Sequence, residues 1–393
     1  MLARFGDYLL FDRLNQGGMA EIYLAKSFGY RGANQILVLK CIRTDHSTDP
    51  AFVSMFIEEA KLSALLSHQN IVRTYELGRV GERHFIAMEY LPGRDLRSVL
   101  DRIRIQGKVF PEELALHIIA QTCEGLDYAH RKVNHDGEPL NIIHRDVSPP
   151  NVLIGFDGQV KLIDFGVAKI SARNEQSRVF KGKYAYMSPE QTRGRIVDAR
   201  SDVFSAGVVL FELLTSRRLF TGRTELSVID KVRHAEIYPP KLLNPDISEE
   251  AEAVFLQATS LDPDDRFQSA GEMRDAIIGI LLSRKMTASS RQLASLMRDI
   301  FVEELNIEET RLGELRSMEM PAIVANLEEI TVATPSNSDN DIETQIKEKT
   351  DITKRLATQP LVNSQTRLID HIIMVGLVAV ILGLVILLIV LAH

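Results

Sequence analysis

The first 90 residues alternate between short apolar runs and polar turns. Residues 8–14, 21–26, 36–40 and 85–91 are four such runs, each of strand length and each bounded by polar or glycine-containing segments. Later in the chain, apolar positions recur at helical spacing over longer stretches. The pattern therefore predicts strands at these four runs and helices where the spacing is helical.

Two helices are predicted around these strands. Residues 51–66 bring their largest apolar side chains roughly onto one stripe, and residues 111–130 form a longer helix with Pro111 in its first turn. Residues 134–141 are a polar insertion with an Asp-Gly turn, for which we expect a surface hairpin.

A polar loop followed by two short apolar runs lies near the middle of the chain. Asp146 and Asn151 occupy the loop, and residues 156–159 supply the turn between the runs. A hairpin of this kind returns Asp164, at the end of the second run, to the side of Asn151. A carboxylate and an amide oxygen that converge with room for phosphate oxygens suit Mg²⁺. Asp146 remains to accept a proton from an incoming hydroxyl.

The segment 144–166 reads His-Arg-Asp-Val-Ser-Pro-Pro-Asn at its start and Asp-Phe-Gly at its end, and it resembles the catalytic loop and metal-binding motif of protein kinases. Matches in the family's order run from residue 8 to residue 283. The resemblance implies an α+β, bilobal kinase fold, with a β-rich lobe at 8–89 and an α-rich lobe at 92–283. It also implies ATP and Mg²⁺ as cofactors between the lobes, with Asp146 as catalytic base and Asn151 and Asp164 as metal ligands.

The turn between the first two predicted strands is glycine-rich, which lets backbone N–H groups approach phosphates. Against the kinase glycine-rich loop, Gly17 matches the second glycine, Gly18 follows it, and Ile22 matches the valine. Asn15 and Ala20 replace the first and third glycines. An ordinary hairpin turn is the alternative, and the order of this turn before a strand lysine favours the nucleotide role.

Further nucleotide contacts are implied by the resemblance. Lys40 ends an apolar strand and matches the lysine that holds the α- and β-phosphates, and Glu59 matches its glutamate partner, with Glu58 solvated. The strand at 85–91 corresponds to the hinge between the lobes. On that match Met88 is the gatekeeper, and the backbones of Glu89 and Leu91 contact the adenine.

The segment from Asp164 to Glu190 corresponds to the activation segment and ends in Ser-Pro-Glu in place of Ala-Pro-Glu. The resemblance implies that Glu190 pairs with Arg266 and that Asp202 braces the catalytic loop. Ser171 and Ser177 are candidate phosphorylation sites, which Arg145 would bind. Constitutive order without phosphorylation is the alternative.

Two departures from the family concern the chemistry. The lysine usual two residues after the catalytic aspartate is Ser148 here, and the threonine usual before the Ala-Pro-Glu motif is Lys183. We interpret this as a reciprocal exchange, in which Lys183 supplies the cation for the γ-phosphate and Ser148 the hydroxyl. The alternative is a weakened or inactive enzyme, which would act as an ATP-binding scaffold.

Composition narrows the partners. The net charge is −7 and the isoelectric point about 5.9, so no basic surface argues for nucleic acid. Cys41 and Cys123 lie in apolar contexts and are expected to be buried, reduced thiols.

The chain beyond the kinase region divides into three parts. Residues 284–318 predict a helical extension packed on the larger lobe, with Ser289 or Ser290 as its cap and with a dimerisation or partner role as the alternative. Residues 319–370 predict a polar, disordered linker. Its threonines, including Thr344, are candidate docking sites for phosphothreonine-binding domains, and a passive tether is the alternative.

Residues 371–392 predict a transmembrane helix, because the 21 residues from 372 to 392 are apolar and uncharged and are long enough for a bilayer core of about 30 Å. Basic residues before it favour a cytoplasmic kinase domain. Gly376, Ala379 and Gly383 share one face, which suggests self-association through the helix.

The sequence as a whole is identified as resembling a bacterial (Hanks-type) serine/threonine protein kinase that signals from the membrane by phosphorylating protein serines and threonines. The loop from His144 to Asn151, together with the Gly182–Lys183 pair, resembles kinases common in myxobacteria.

Overall fold

The small lobe is built on a six-stranded antiparallel sheet. The computed structural model describes residues 2–28, 34–165 and 184–318. The strand order is β1-β2-β3-β4-β6-β5. The strands are β1 (Ala3–Phe5), β2 (Tyr8–Gln16), β3 (Ala20–Ser27), β4 (Ile36–Ile42), β5 (Thr74–Val80) and β6 (Arg83–Glu89).

The first α-helix of the described chain packs on this sheet. The helix α1 (Pro50–Ala64) begins after Asp49, whose carboxylate accepts a hydrogen bond from the Ala51 N–H, and Pro50 occupies its first position. Phe56 and Ala60 are its buried residues, and they pack with Ile42 and Ile86 of the sheet. This packing fixes the rotation of α1 and so decides which of its side chains face the cleft.

The large lobe is helical and has a single apolar core. The helix α5 is buried along almost its whole length, and α3, α7 and α8 pack around it. The helices are α2 (Leu96–Ile105), α3 (Glu112–His130), α4 (Pro189–Thr192), α5 (Ala199–Thr215), α6 (Glu225–Arg233), α7 (Glu249–Ala258), α8 (Ala270–Ser283), α9 (Ser290–Ile300) and α10 (Val302–Ser317).

A second, three-stranded sheet carries the catalytic loop. Its strands are β7 (Gly93–Asp95), β8 (Val152–Gly155) and β9 (Val160–Leu162). In the β8–β9 turn, Asp157 Oδ1 accepts from the Gln159 N–H, and Gly158 has a φ of +82°. The left-handed φ suits glycine at this position. The hairpin predicted from the sequence is confirmed.

The strand-rich first part and helical second part agree with the prediction, with differences at element ends. The helix predicted at 51–66 ends at Ala64, and the strand predicted at 85–91 ends at Glu89. Strands β1, β5 and β7 were not predicted, since β5 is mostly exposed and the other two have only three residues. The insertion at 134–141 forms the expected hairpin, with the Asn134 N–H donating to the Glu138 carbonyl.

The extension after residue 283 consists of two helices. Ser289 caps α9, and Leu293 and Met297 of α9 join the large-lobe core, as predicted. The second helix, α10, also reaches the small lobe, which the sequence did not predict. Leu315 of α10 is buried with Leu9 of the small lobe, because the helix continues past the lobe boundary.

None of the helices within the described ranges has the length and apolarity to cross a membrane. The linker predicted at 319–370 and the membrane span predicted at 371–392 lie outside the described residues. Cys41 and Cys123 are both buried free thiols, as predicted.

Candidate active site

Lys40 on β4 bridges two carboxylates from different parts of the fold. Its Nζ lies 2.5 Å from Glu59 Oε1 on α1 and 2.8 Å from Asp164 Oδ1, just after β9. The Lys40 side chain is only 12% exposed, so bulk water screens these contacts weakly. Lys40 therefore connects the six-stranded sheet, α1 and the β8–β9 hairpin at one point.

The charge of Lys40 is secured by these partners. Burial alone would disfavour the ammonium form, but the attraction and hydrogen bonds of Asp164 and Glu59 outweigh it and raise the pKa of Lys40 above its ordinary value. The neighbouring acid Glu58 instead pairs with Lys61 on the exposed face of α1. The structure thus agrees with the sequence-based choice of Glu59 over Glu58.

The backbone of the catalytic loop is fixed by Asp202 on α5. The Asp202 carboxylate accepts the backbone N–H groups of His144 and Arg145, both at 2.8 Å, and contacts His130 Nε2 at 2.8 Å. Burial would raise the pKa of Asp202, but these hydrogen bonds and the nearby histidines hold it below its ordinary value. The predicted bracing role of Asp202 is confirmed.

Two residues of the site have an unusual backbone conformation. Arg145 has a φ of +64°, and Asp164 has a φ of +56°. A left-handed conformation costs a residue other than glycine about 1–2 kcal/mol, so the surrounding contacts must hold it in place. The two strained residues flank the candidate site on both sides.

The His144 ring joins the catalytic loop to the segment of Asp164. Its Nδ1 accepts the Asp146 N–H at 3.2 Å, so the proton of the neutral ring must lie on Nε2, which donates to the Ile163 carbonyl at 3.0 Å. The ring centroid also lies 4.5 Å from that of Phe165. His144 thus fixes Asp146 and Asp164 relative to each other.

The donor set near Asn151 fits a magnesium ion. Asn151 Nδ2 donates to the Asp146 carbonyl at 2.8 Å, which assigns the amide and leaves Oδ1 as an oxygen ligand. The Ile163 N–H donates to the Asn151 carbonyl at 3.1 Å, so Asp164 follows directly beside it. A carboxylate and an amide oxygen are hard ligands of the kind Mg²⁺ takes.

Ser148 is buried beside the proposed base. Its hydroxyl donates to the Asp146 carbonyl at 3.3 Å, a weak contact that adds to the hydrogen bond from Asn151. Lys183 lies outside the described residues, as do Ser171 and Ser177. The proposed exchange between Ser148 and Lys183 stays a prediction.

The glycine-rich turn joins β2 and β3 as predicted. Gly17 N–H donates to the Ala20 carbonyl at 2.9 Å, and Gly18 completes the turn. A Cβ at Gly17 would meet only the Ala20 oxygen, at an ordinary 3.5 Å, so the fold itself does not require glycine there. Ile22 lies opposite Lys40 in register and on the same face of the sheet. These positions suit backbone contact with phosphates.

The hinge lies between β6 and β7. The Glu89 N–H donates to the Arg73 carbonyl at 2.8 Å, and the Glu89 carboxylate accepts from Lys161 Nζ on β9 at 2.9 Å. Glu89 is thereby fixed at the lobe boundary, and Leu91 follows in the connecting segment. A cavity of about 20 Å³ beside Met88 has room for little more than one water. The adenine contacts of Glu89 and Leu91 stay predictions.

The end of the activation segment is anchored as predicted. Arg266 makes a bidentate contact with Glu190, at 2.8 and 3.1 Å, and both residues are buried. Ser188 and Gln191 form a capping box at the start of α4.

Sequence reasoning missed two further supports. Gln191 Nε2 donates to the Arg145 carbonyl at 2.9 Å and so ties α4 to the catalytic loop. Glu212 accepts from Arg97 and from Tyr186, each at 2.5 Å. The sequence carried one signal for this network, since Glu212 is an acid within an apolar helical run, and such a residue needs a buried partner.

Comparison with known proteins gives consistent results. The protein kinase domain family matches residues 8–277. The tyrosine-protein kinase MasK of Myxococcus xanthus is 39% identical over 320 residues, which cover 81% of this chain and 50% of MasK. The serine/threonine-protein kinase PknB of Mycolicibacterium smegmatis is 36% identical over 281 residues, which cover 70% of this chain and 43% of PknB. The chain thus spans about half the length of these curated relatives.

Among solved structures, the PknI kinase domain of Mycobacterium tuberculosis has a TM-score of 0.53 and 25% identity to this chain. The match covers 70% of this chain and 97% of the PknI kinase domain. The family match over residues 8–277 extends over both lobes and over every residue of the site described above. The chain belongs to the protein kinase family.

Proposed function

We propose that this protein is an ATP-dependent serine/threonine kinase that transfers the γ-phosphate to protein hydroxyls. The bridge from Lys40 to Glu59 and Asp164 is the observation that supports the proposal most directly. Phosphoryl transfer in this family requires the strand lysine to be paired with the helix glutamate and the metal-binding aspartate to be in place. The contacts of Lys40 with Glu59 and with Asp164 support both requirements.

In the proposed reaction, the bond between the γ-phosphorus and its bridging oxygen breaks while a substrate hydroxyl oxygen bonds to the same phosphorus. Asp146 accepts the hydroxyl proton, and Lys40 binds the α- and β-phosphates. Asn151 and Asp164 would hold Mg²⁺, which when bound supplies positive charge beside the phosphate oxygens. The backbone of Gly17 and Gly18 covers the phosphates, and Glu89 and Leu91 hold the adenine.

The first test is autophosphorylation of the full chain with labelled ATP and Mg²⁺, beside an Asp146→Asn control. Label in the wild type and its absence from the control would establish a working kinase. ATP binding without any label would instead favour the membrane-anchored scaffold, for which Ser148 is the specific observation. Loss of ATP binding as well would overturn the nucleotide assignment.

The acceptor residue is a separate question, because the relatives carry different names. PknB is named a serine/threonine kinase, and MasK a tyrosine kinase. Phosphoamino-acid analysis of the labelled protein should give phosphoserine and phosphothreonine. Phosphotyrosine alone would contradict the proposed specificity.

We also propose that Lys183 supplies the positive charge for the γ-phosphate and that the Ser148 hydroxyl replaces that of the threonine usual in the family. A Lys183→Met variant should then lose most turnover, since removing one donor to a developing charge costs about 10²–10³ in rate. Full turnover in this variant would contradict the exchange. Mass spectrometry of the active protein would show whether Ser171 or Ser177 carries a phosphate for Arg145.

The cellular setting is the remaining part of the proposal. We place the protein in the cell membrane through the apolar helix at 371–392, with a cytoplasmic kinase domain, in a bacterial signalling role of the myxobacterial type. Fractionation should recover the full chain with membranes and a variant lacking 371–392 in the soluble fraction. Self-association through that helix, and phosphothreonine-binding partners of the 319–370 linker, belong to the same proposal.

A further inference from the structure

The helix α10 contacts both lobes and the hinge between them. It has 16 residues, which at 1.5 Å per residue gives a length of about 24 Å. Its successive turns meet the large lobe, then the hinge, then the small lobe. None of these contacts belongs to the catalytic machinery described above.

The first turn of α10 is fixed to the large lobe. Arg102 of α2 pairs with Glu304 and donates to the Ile300 carbonyl at 3.0 Å. The Arg102 guanidinium also lies 4.7 Å from the centre of the Phe301 ring, within the range of a cation–π contact. Phe301, just before α10, is buried in the large-lobe core.

The middle of α10 is fixed to the hinge. The Tyr90 hydroxyl donates to the Glu308 carboxylate, and Glu308 is buried with only 4% exposure. Burial and this hydrogen bond raise the pKa of Tyr90 above its ordinary value. Tyr90 lies between Glu89 and Leu91, the two residues proposed to contact the adenine.

The end of α10 is fixed to the small lobe. Leu315 is 3% exposed and packs with Leu9 and Leu24 of β2 and β3. Lys26 of β3 is buried and donates to the carbonyls of Leu315 and Met318 at 2.7 and 3.1 Å. Carbonyls at a helix end lack partners within the helix, and a cation there also complements the helix dipole.

We propose that α10 is an interlobe clasp that sets the spacing of the ATP cleft and the position of the hinge. Hinge motion that opens the cleft moves the small lobe away from the large lobe. One helix anchored at both ends and at Tyr90 resists that motion, because either the Leu315 end or the Arg102 end would have to detach. Loss of an anchor therefore lowers the fraction of molecules that are competent to bind ATP, and this inference rests on the proposed kinase function.

The test is the dissociation constant of Mg·ATP, measured by calorimetry on full-length variants. Leu315→Ala truncates the apolar part of the small-lobe anchor, and the matched control Ile307→Ala truncates an exposed aliphatic residue of the same helix. A competent fraction of about 0.1–0.3 would weaken apparent binding about three- to tenfold. The control should bind as the wild type does, and Lys26→Met should repeat the effect of Leu315→Ala.

Lobe spacing can be measured independently of binding. Spin labels at Ser54→Cys on α1 and Ser283→Cys at the end of α8 report the distance between the lobes, and the buried Cys41 and Cys123 stay unlabelled. The distance distribution should be narrow in the otherwise unchanged chain and in Ile307→Ala, and broad in Leu315→Ala.

The outcomes separate the two proposals. Unchanged ATP affinity and an equally narrow distribution in Leu315→Ala, beside a wild type that binds ATP, would overturn the clasp and leave the kinase function standing. A wild type that binds no ATP would overturn both. A thermal unfolding scan of each variant shows whether the measured molecules are folded. If Leu315→Ala does not fold, the ATP affinity and the distance distribution of Lys26→Met decide the test.

Discussion

At the residue scale, the site depends on a few charged side chains whose partners are buried. Lys40 has two carboxylate partners, and Glu190 has Arg266. Removing one member of a buried pair leaves the other charge without compensation in a poorly solvated place. Such residues should show large effects on substitution, whereas their exposed neighbours should show small ones.

Glu59→Gln should lower the rate of phosphoryl transfer about tenfold to a hundredfold, because a hydrogen bond to a charged group is worth about 1.5–3 kcal/mol. The matched control is Glu58→Gln, one position earlier in α1, where Glu58 pairs with the exposed Lys61. Initial rates on a common protein substrate measure both. Equal rates in the two variants would show that the Lys40–Glu59 pair does not position the phosphates.

Glu190→Gln should lower the free energy of unfolding at pH 7 by about 3–5 kcal/mol, because it leaves the buried Arg266 unpaired. Burial acts to raise the pKa of Glu190, but the hydrogen bonds and charge of Arg266 outweigh it and hold the pKa below its ordinary value of 4.5. A depressed pKa contributes stability above that value, and this contribution is lost as the pH falls through the folded-state pKa.

Urea unfolding from pH 7 downward measures this dependence. The gap between wild type and Glu190→Gln should narrow below the ordinary pKa. Glu249→Gln, at a highly exposed position of α7, should match the wild type throughout. A gap that stays constant with pH would mean that packing, not the ion pair, accounts for the loss.

At the element scale, α9 packs into the core of the large lobe although it follows the matched kinase domain. Its residues Leu293 and Met297 belong to the large-lobe core, and its first turn lies against the β8–β9 turn. A Cβ placed on Gly158 would come within 1.8 Å of the Ser290 carbonyl oxygen. The hairpin that carries Asn151 and Asp164 is thus supported by a helix from the extension.

Gly158→Ala should therefore lower the free energy of unfolding by more than backbone strain alone would. Gly137 has the same φ of +82° but nothing within 4 Å of its added Cβ, so Gly137→Ala measures the strain, about 1–2 kcal/mol. Gly158→Ala should exceed that by about 1–3 kcal/mol, the usual cost of overpacking. Chemical denaturation of both variants gives the difference in the free energy of unfolding. Equal losses in the two variants would mean that α9 moves aside at no cost in stability.

At the scale of the whole molecule, the described chain is two lobes with the candidate site between them. Residues of both lobes meet at Lys40, and the catalytic loop rests on α5 through Asp202. A ligand held by both lobes stabilises the folded chain as a whole, because it binds the native state and not the unfolded one.

Mg·ATP at a hundred times its dissociation constant should add about 2.7 kcal/mol to the free energy of unfolding. Lys40→Met should abolish most of this gain at the same concentration, since it removes the cation proposed to hold the phosphates. Replacing Mg²⁺ with a chelator should reduce the gain in the wild type. Thermal scans with and without nucleotide measure it, and an undiminished gain in Lys40→Met would contradict the phosphate role of that residue.

Much of the fold and of the site follows from local sequence. Residues 36–40 and 111–130 show their strand and helix because apolar spacing reflects the backbone period directly. The glycine-rich turn, the β8–β9 hairpin and the Ser289 cap depend on a few neighbouring residues, and the sequence also indicates Lys40, Glu59, Asn151 and Asp164 by the order of their motifs.

Only the tertiary structure decided the long-range contacts, since no local period records them. Three such contacts join residues that lie 26 to 218 positions apart in the sequence. They are the hydrogen bond from Gln191 to the Arg145 carbonyl, the Glu212 network and the hydrogen bond from Tyr90 to Glu308. The course of α10 was missed for the same reason, because its contacts are divided between two lobes and leave no single apolar stripe. The sequence determined the chemistry that each side chain offers. Packing in the tertiary structure determined which partner each side chain contacts.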